Sequence, residues 1–457
     1  MFFLTSLAFY LAARLLSCGK LAALIIALSF SYAPFRLVHL GQVQMLSLHW
    51  YILSIAGAYR YLATRRAGWL PLLAAFFLLQ ATTGLYLTVY LLISHAVIFG
   101  MAQGYRPLRG NTRELVLIGV TAVVTLLVAG VILWPYFAVR INQELQPRIG
   151  YSTVPLAMQM FLALPRNSFL WSGLEPRIDP RALSYFPNLV VLFFAGYYLI
   201  RTIVAGKRNV FFGLSAGSTI LAFYLLGQGG TGVLAGLFEH TILGGLRVLH
   251  RFAIPIVLLL ALMAAGGLDI FLKKFNKNRL RMVTLLLAVV LLENIPYVPT
   301  TTIFPLAPRP GIYSQVERLA GDGSAIVELP LSEFADNWNT SLDPLYMYYS
   351  IGGFYRMFNG YSGFFPKDFQ AQCMILKTFP DPAALKLLRE LRISLVVFHS
   401  AAFPRSPRER ILRRISESPR LFRVEAYDNG DYLIRITDRV VSGDKAAALA
   451  RRRVLET

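Results

Sequence analysis

Leu115–Val139 reads LVLIGVTAVVTLLVAGVILWPYFAV, an apolar run without a single charge. A helix needs about 17–25 such residues to cross the hydrocarbon core of a bilayer. This stretch therefore decides the class, and the chain reads as an α-helical polytopic membrane protein. Working outward by the same rule gives about ten membrane-spanning helices. They lie at Phe2–Ser17, Leu21–Pro34, Gln42–Leu62, Trp69–Thr83, Leu85–Gln103, Leu115–Val139, Phe186–Val204, Val210–Leu226, Phe252–Leu272 and Met282–Val298. The second and fourth are short, and re-entrant segments are an alternative there. The composition agrees. The chain is 56% hydrophobic and only 15% charged, against about 25% charged in soluble proteins.

The net charge of +21 does not point to nucleic acid. Upstream of the C-terminal region most basic residues flank apolar runs, where they set topology; a nucleic-acid footprint would gather on one soluble face. The clusters Arg14/Lys20, Arg65/Arg66, Arg106/Arg109/Arg113, Lys207/Arg208 and Lys273–Arg281 fall at alternate connections. By the positive-inside rule these face the cytoplasm. The loops 140–185 and 228–251 and everything after Pro299 are then extracytoplasmic, and Met1 lies outside. The start lacks the basic segment and cleavage site of a signal peptide. Cys18 and Cys373 are too far apart in sequence to suggest a disulfide framework or a metal cluster.

From about Thr300 the pattern changes. Ser324–Leu329 (SAIVEL) reads as a short strand, Asp381–Leu391 as a helix and Ile393–His399 (ISLVVFH) as a buried strand. Leu421–Ile436 reads as a hairpin turning at Asp428-Asn429-Gly430, since Asn-Gly suits the positive φ angles of a tight turn. Strands mixed with helices imply a small α/β domain. The expected organisation is a transmembrane domain over 1–299, an extracytoplasmic α/β domain over 300–438 and a basic tail over 439–457.

Several residues are placed to carry chemistry. His39-Leu40-Gly41-Gln42-Val43-Gln44 sits between the second and third spans, beside Pro34 and Arg36. At the start of a span, such polar groups can offer donors to a phosphate or sugar; the alternative is an interfacial cap anchored by Trp50. Arg247 and Arg251 precede the ninth span and share a face if the segment is helical. Two outward cations there suit phosphate oxygens; headgroup snorkelling is the alternative. Gln80, Thr82, Thr83, Tyr86 and Tyr90 either line a cavity or make interhelical hydrogen bonds. Among the outer carboxylates Glu144, Glu175, Asp179 and Glu239, Glu239 shares a loop with the paired arginines. It is either a base for an acceptor hydroxyl or an ion-pair partner. Asp269 is expected to pair with the Lys273 cluster, and Glu293 to cap a neighbour. Asn359–Phe364 and Tyr346, Tyr348 and Tyr349 form an aromatic, glycine-rich set, readable as a sugar-binding face or as a packed loop. No metal-ligand spacing is present, and no cofactor is implied.

Taken in order, Phe30-Ser31-Tyr32-Ala33-Pro34-Phe35-Arg36, His39–Ser47, Gly245–Phe252, Val327–Pro330, Asn359–Gly363 and Leu388–Leu391 resemble bacterial membrane glycosyltransferases of the GT-C type. The resemblance spans nearly the whole chain. It implies transfer of a sugar from a polyprenyl-phosphate donor to an extracytoplasmic glycan, lipid or protein acceptor, at the bacterial cytoplasmic (inner) membrane. Membrane lipids are the other implied partner, and no nucleotide-sugar is used. It also implies a catalytic Asp in a first outer loop. Yet Met1–Arg113 contains no Asp or Glu, and the first carboxylate is Glu114. Met1–Ser17 looks like a later helix of the family pattern, so the expectation is a chain lacking its N-terminal spans, in which no residue inherits the catalytic role. By the same resemblance His39, Gln42 and Gln44 border the outer cavity and Arg247 and Arg251 lie near the lipid phosphate. Gln80, Tyr86 and Glu239 complete the candidate substrate-binding set. Two other readings stay open: a non-catalytic protein that binds or translocates a lipid-linked glycan, and a scaffold whose outer domain holds a partner.

Overall fold

A computed structural model describes residues 1–37, 39–40, 42–105, 112–142, 144–147, 155–165, 168–171, 184–205, 210–228, 248–275, 278–296, 309–320, 325–332, 342–360, 362 and 364–437. The chain divides into two compact units. One is Met1–Tyr136 with Ser152–Thr301, the other Phe137–Tyr151 with Thr302–Thr457. Phe137–Tyr151, read from sequence as part of the membrane region, groups with the C-terminal residues. There Gln146–Pro147 (β1) pairs antiparallel with Phe364–Phe365 (β3).

Helices stand where the apolar runs were read: Phe2–Leu15, Lys20–Ser31, His49–Thr64, Trp69–Thr83, Leu85–Tyr105, Thr112–Asn142, Leu189–Ala205, Val210–Gly227, Ala253–Leu272 and Arg279–Asn294. Among the described residues three segments, Leu85–Ala102, Thr112–Asn142 and Leu249–Leu272, are long and apolar enough to cross a membrane. Phe2–Leu15, Lys20–Ser31, Trp69–Thr83, Leu189–Val204 and Phe211–Gly227 are apolar but shorter.

Helix Ala253–Leu272 is the centre of the first unit, buried over most of its length and rich in alanine and glycine. Its small residues let a neighbour come close, as membrane helix pairs require. A methyl group at Gly267 would overlap the Phe194 carbonyl oxygen of helix Leu189–Ala205, and one at Gly266 would meet the Tyr198 ring. Thr112–Asn142 is the opposite case, with most of its side chains exposed and only Thr125 and Ala129 buried, as for a helix in contact with lipid.

One expectation is corrected. The third span was read from Gln42, but the continuous helix begins at His49. Two single-turn helices, Pro34–Leu37 and Val43–Leu46, fill the interval. The Leu46 carbonyl accepts from Arg36 Nη2 at 2.9 Å and from Thr5 Oγ1 at 3.2 Å. These side chains take the place of the next-turn amide that a continuous helix would supply.

The C-terminal unit holds a four-stranded mixed sheet in the order β2-β4-β6-β5. Its strands are Ala325–Leu329 (β2), Ile393–His399 (β4), Phe422–Asp428 (β5) and Asp431–Ile436 (β6). β2 runs parallel to β4; β6 is antiparallel to both of its neighbours. The apolar run Leu395–Phe398 of β4 is explained by cover on both faces. Val396 and Phe398 pack with helices Phe369–Leu376, Pro382–Glu390 and Arg405–Glu417, while Leu395 and Val397 pack with Tyr313, Val316 and Tyr349. The hairpin turns as expected, with Asn429 at φ 48° and Gly430 at φ 95°. The free edge of β2 is closed by Arg356–Asn359. Ile326 exchanges backbone hydrogen bonds with Arg356 and Phe358. Asn359 then continues the pairing with its side chain: Oδ1 accepts from the Glu328 amide at 2.6 Å and Nδ2 donates to the Glu328 carbonyl at 2.9 Å.

Candidate functional site

The break between Ser31 and His49 makes the site. Pro34 opens a single α-helical turn and Val43–Leu46 forms a second, while the amides of Arg36, His39, Leu40, Gln42 and Met45 make i→i+3 bonds, so neither turn extends into a long helix. Irregular backbone at membrane depth survives only where protein or water satisfies it. Here Arg36 does part of that. Its side chain is 1% exposed, donates to Thr5 Oγ1 and Leu46 O, and is framed by Phe2 and Phe30 at 5.3 and 5.6 Å. Its Nε and Nη1 have no hydrogen-bond partner.

The far side of the same loop faces the turn before helix Ala253–Leu272. Arg251 Nη2 donates to Gln42 Oε1 at 2.9 Å, and its guanidinium lies 5.1 Å over the Tyr86 ring. The segment Leu249–Phe252 is a 3-10 turn seated by Phe252, whose ring is 4.7 Å from that of Tyr90. Tyr86 and Tyr90 fall one turn apart on helix Leu85–Tyr105, so they share a face. His39 meets Tyr185 edge-on, its Nε2 3.5 Å from the phenol oxygen, and the Tyr185 ring lies 6.0 Å from that of His250. Gln44 packs over Gly84, at the entry to Leu85–Tyr105.

The structure thus gathers His39, Gln42, Gln44, Tyr86 and Arg251 around one loop. It does not put the loop at the N-terminus of a long helix, so the helix-dipole argument for anion binding does not apply here. Gln80 is turned elsewhere. It is fully buried, and its Oε1 accepts from the Tyr51 amide at 3.0 Å, capping the start of helix His49–Thr64, while Nε2 reaches Thr83. Thr82 and Thr83 donate to their own helix. Glu239 and Arg247 lie outside the described residues, as do Glu175 and Asp179, so the shared face of Arg247 and Arg251 is not tested. Arg36, Tyr185 and His250 were not among the substrate-binding residues expected from sequence. An arginine two residues after a proline, in a segment with no acid to pair it, was the available signal.

Each described carboxylate of this unit is engaged. Glu114 takes Arg65 and Tyr61, both at 2.9 Å. Asp269 pairs with Lys273 at 2.6 Å, as its position suggested. Glu293 is buried and accepts from the Leu189 amide at 2.9 Å, capping helix Leu189–Ala205, the neighbour-capping role expected of it. None hydrogen-bonds Arg36 or Arg251. Among the described residues no group of three or more His, Cys, Asp or Glu is placed to hold a metal ion.

A second polar cluster lies in the C-terminal unit. His399, at the end of β4, bonds Asp431 Oδ1 through Nδ1 at 2.9 Å and Glu328 Oε2 through Nε2 at 3.0 Å. Two carboxylate partners require both ring nitrogens to donate, which is the imidazolium form. Burial opposes that charge, but the hydrogen bonds His399 donates to Asp431 and Glu328 outweigh it and lift the pKa from 6.5 to about 9. Tyr346 stacks on the imidazole at 4.8 Å, and the Tyr313 hydroxyl donates to Glu328 at 2.6 Å. Tyr346 and Tyr349 are buried; Tyr348 is exposed. Tyr346 and Tyr349 therefore serve packing and Asn359 is a strand-edge residue, while Tyr361 and Gly363 lie outside the described residues.

No protein-family model matches the chain, and no curated protein matches it. Among solved structures it resembles a mutant of the arabinofuranosyltransferase AftD from mycobacteria, determined by single-particle cryo-EM, with a TM-score of 0.50 at 14% identity. The likeness covers 100% of this chain and 38% of that one. At that identity it is a likeness of fold.

Proposed function

We propose that the chain is a GT-C-type membrane glycosyltransferase, and that the loop His39–Gln44 with Tyr86 and Arg251 receives the phosphate of a polyprenyl-phosphate-linked sugar. The observation that carries this reading is Arg251. Among the described residues it is held by a neutral amide and an aromatic face rather than by a carboxylate, which leaves its charge available. A guanidinium fixed this way offers forked donors to phosphate oxygens. As the bond to the anomeric carbon breaks, it would stabilise the charge growing on the departing lipid phosphate. Arg36 adds a buried positive charge on the other side of the same loop. The acceptor is a hydroxyl of an extracytoplasmic glycan, lipid or protein, on the face opposite the basic clusters. Among the described residues of this unit the role of base is assigned to none, because Glu114, Asp269 and Glu293 are each committed elsewhere.

That same commitment favours the second reading, in which the site binds or moves a lipid-linked glycan without chemistry. One experiment separates the two. The purified full chain in nanodiscs is given polyprenyl phosphates bearing pentoses or hexoses, with a glycan acceptor. Binding is followed by thermal shift and turnover by release of free polyprenyl phosphate. Binding with release supports transfer; binding without release supports the second reading. If no polyprenyl phosphate shifts the wild type more than Arg251→Ala, the site assignment is wrong.

A further inference from the structure

The C-terminal unit exposes apolar side chains at one tip. Met347 (40%), Tyr348 (46%), Ile351 (53%) and Phe354 (82%) come to the surface within eight residues. The first three fall at i, i+1 and i+4 along helix Asp343–Ser350 and its exit, which is one helical face. Phe354 has a backbone φ of 45°, a strained conformation that comes at a cost for a bulky residue. Exposed at 82%, it recovers little of that cost by packing within its own unit.

The tip is firmly built. The Gly353 and Phe354 amides both donate to the Ser350 carbonyl. Arg309 Nε donates to the Tyr349 carbonyl at 2.9 Å, and its Nη1 pairs with Glu317 at 2.6 Å. Gly352 and Gly353 lie so close to this pair that a methyl group on either would overlap it. The fold therefore holds Phe354 outward by design of its supports. Charge adds a direction: residues 344–367 contain no Asp or Glu and carry the exposed Arg356 amid Tyr and Phe, while the acid beside the tip, Glu317, is paired with Arg309 and Lys367 is paired with Glu144. Aromatic and aliphatic side chains beside an exposed cation, with the neighbouring acid already neutralised by its arginine, match the headgroup layer of an anionic bilayer. A monomer's exposed apolar cluster marks a surface that meets something.

We propose that the tip Met347–Phe354 is an interfacial anchor, seating Tyr348, Ile351 and Phe354 among the headgroups of a membrane containing anionic lipid. The anchor is independent of sugar transfer and needs only that the chain reside in a bilayer. The test uses the full chain in nanodiscs of phosphatidylcholine and phosphatidylglycerol. Spin labels are placed at Ile351→Cys and Phe354→Cys, with exposed Arg413→Cys as the reference, and with Cys18 and Cys373 changed to Ser. Oxygen partitions into lipid and a nickel chelate stays in water. At positions 351 and 354 oxygen collisions should exceed nickel collisions several-fold, with the order reversed at 413. Nickel dominance at 354, or shielding from both probes as a protein partner or a second copy would give, overturns the proposal. Should the cysteine-free background not fold, Phe354 replaced by a photoreactive benzoylphenylalanine in the otherwise unchanged chain decides it. Lipid adducts are expected, and adducts to protein alone overturn it.

Discussion

His399 gives the C-terminal unit a stability that depends on pH in a calculable direction. Its folded pKa of about 9 lies above the ordinary 6.5, and its side chain is only 13% exposed. The folded state therefore binds a proton more tightly than the unfolded chain does. The stabilisation is fully present below pH 6.5 and is lost as pH rises through about 9. A difference of this size corresponds to about 3 kcal/mol at the low-pH plateau. Cys373 supplies the readout, because its side chain is buried in the core of the same unit. Pulsed alkylation of the full chain in nanodiscs, read by mass spectrometry at Cys373 and corrected for the reactivity of a free thiol, measures how often that core opens. Between pH 6.5 and pH 9 the opening equilibrium should rise roughly a hundredfold. In His399→Gln the residue no longer titrates, so the rise should vanish while the baseline opening at pH 6.5 is higher. Equal pH slopes in the two proteins would refute the assignment of the imidazolium to this cluster.

Other outcomes follow from the same geometry. Asn359→Ala leaves the Glu328 amide and carbonyl buried without partners, costing about 2–4 kcal/mol, and should raise Cys373 opening at all pH values. Gly267→Ala forces apart the helices Leu189–Ala205 and Ala253–Leu272; overpacking of this kind costs about 1–3 kcal/mol or more, read as a lower thermal midpoint in detergent. Glu293→Gln keeps an acceptor for the Leu189 amide and should unfold close to wild type, whereas Glu293→Leu should lose about 1–2 kcal/mol by the same assay. Arg251→Lys keeps the charge but loses the fork and the flat face over Tyr86, so polyprenyl-phosphate affinity should fall about tenfold in a thermal-shift titration.

The helices and the sheet were readable because each rests on local pattern. The run Leu115–Val139 is long enough by itself, ISLVVFH reads as a strand covered on both faces, and Asn429-Gly430 can hardly be anything but a turn. What escaped reading depends on groups distant in sequence. Gln42–Leu48 is as apolar as many helix starts, yet Arg36 and Thr5 claim the Leu46 carbonyl and stop the helix there. Glu328, His399 and Asp431 lay on strands that were each anticipated, but only the register, with His399 opposite Asp431, brings them together. The site was half legible. Gln42 and Arg251, 209 residues apart, were both picked for their polar character at the membrane edge, while their mutual hydrogen bond was not foreseeable from spacing. Gln80 misled because an amide near a helix end looks the same whether it faces a ligand or caps another helix.

The edge of β2 bears on how this chain can change over time. Asn359 stands in for a peptide unit, offering an acceptor and a donor at the spacing a neighbouring strand would. The sheet is thus finished by a single side chain, and no further strand can be added on that side without displacing it. Among the described residues between Leu329 and Arg356 none pairs with the sheet through its backbone. Insertions or deletions in that interval can lengthen or shorten the exposed tip without reopening the sheet. The tip can then be retuned to a different surface while the strands beneath it keep their register.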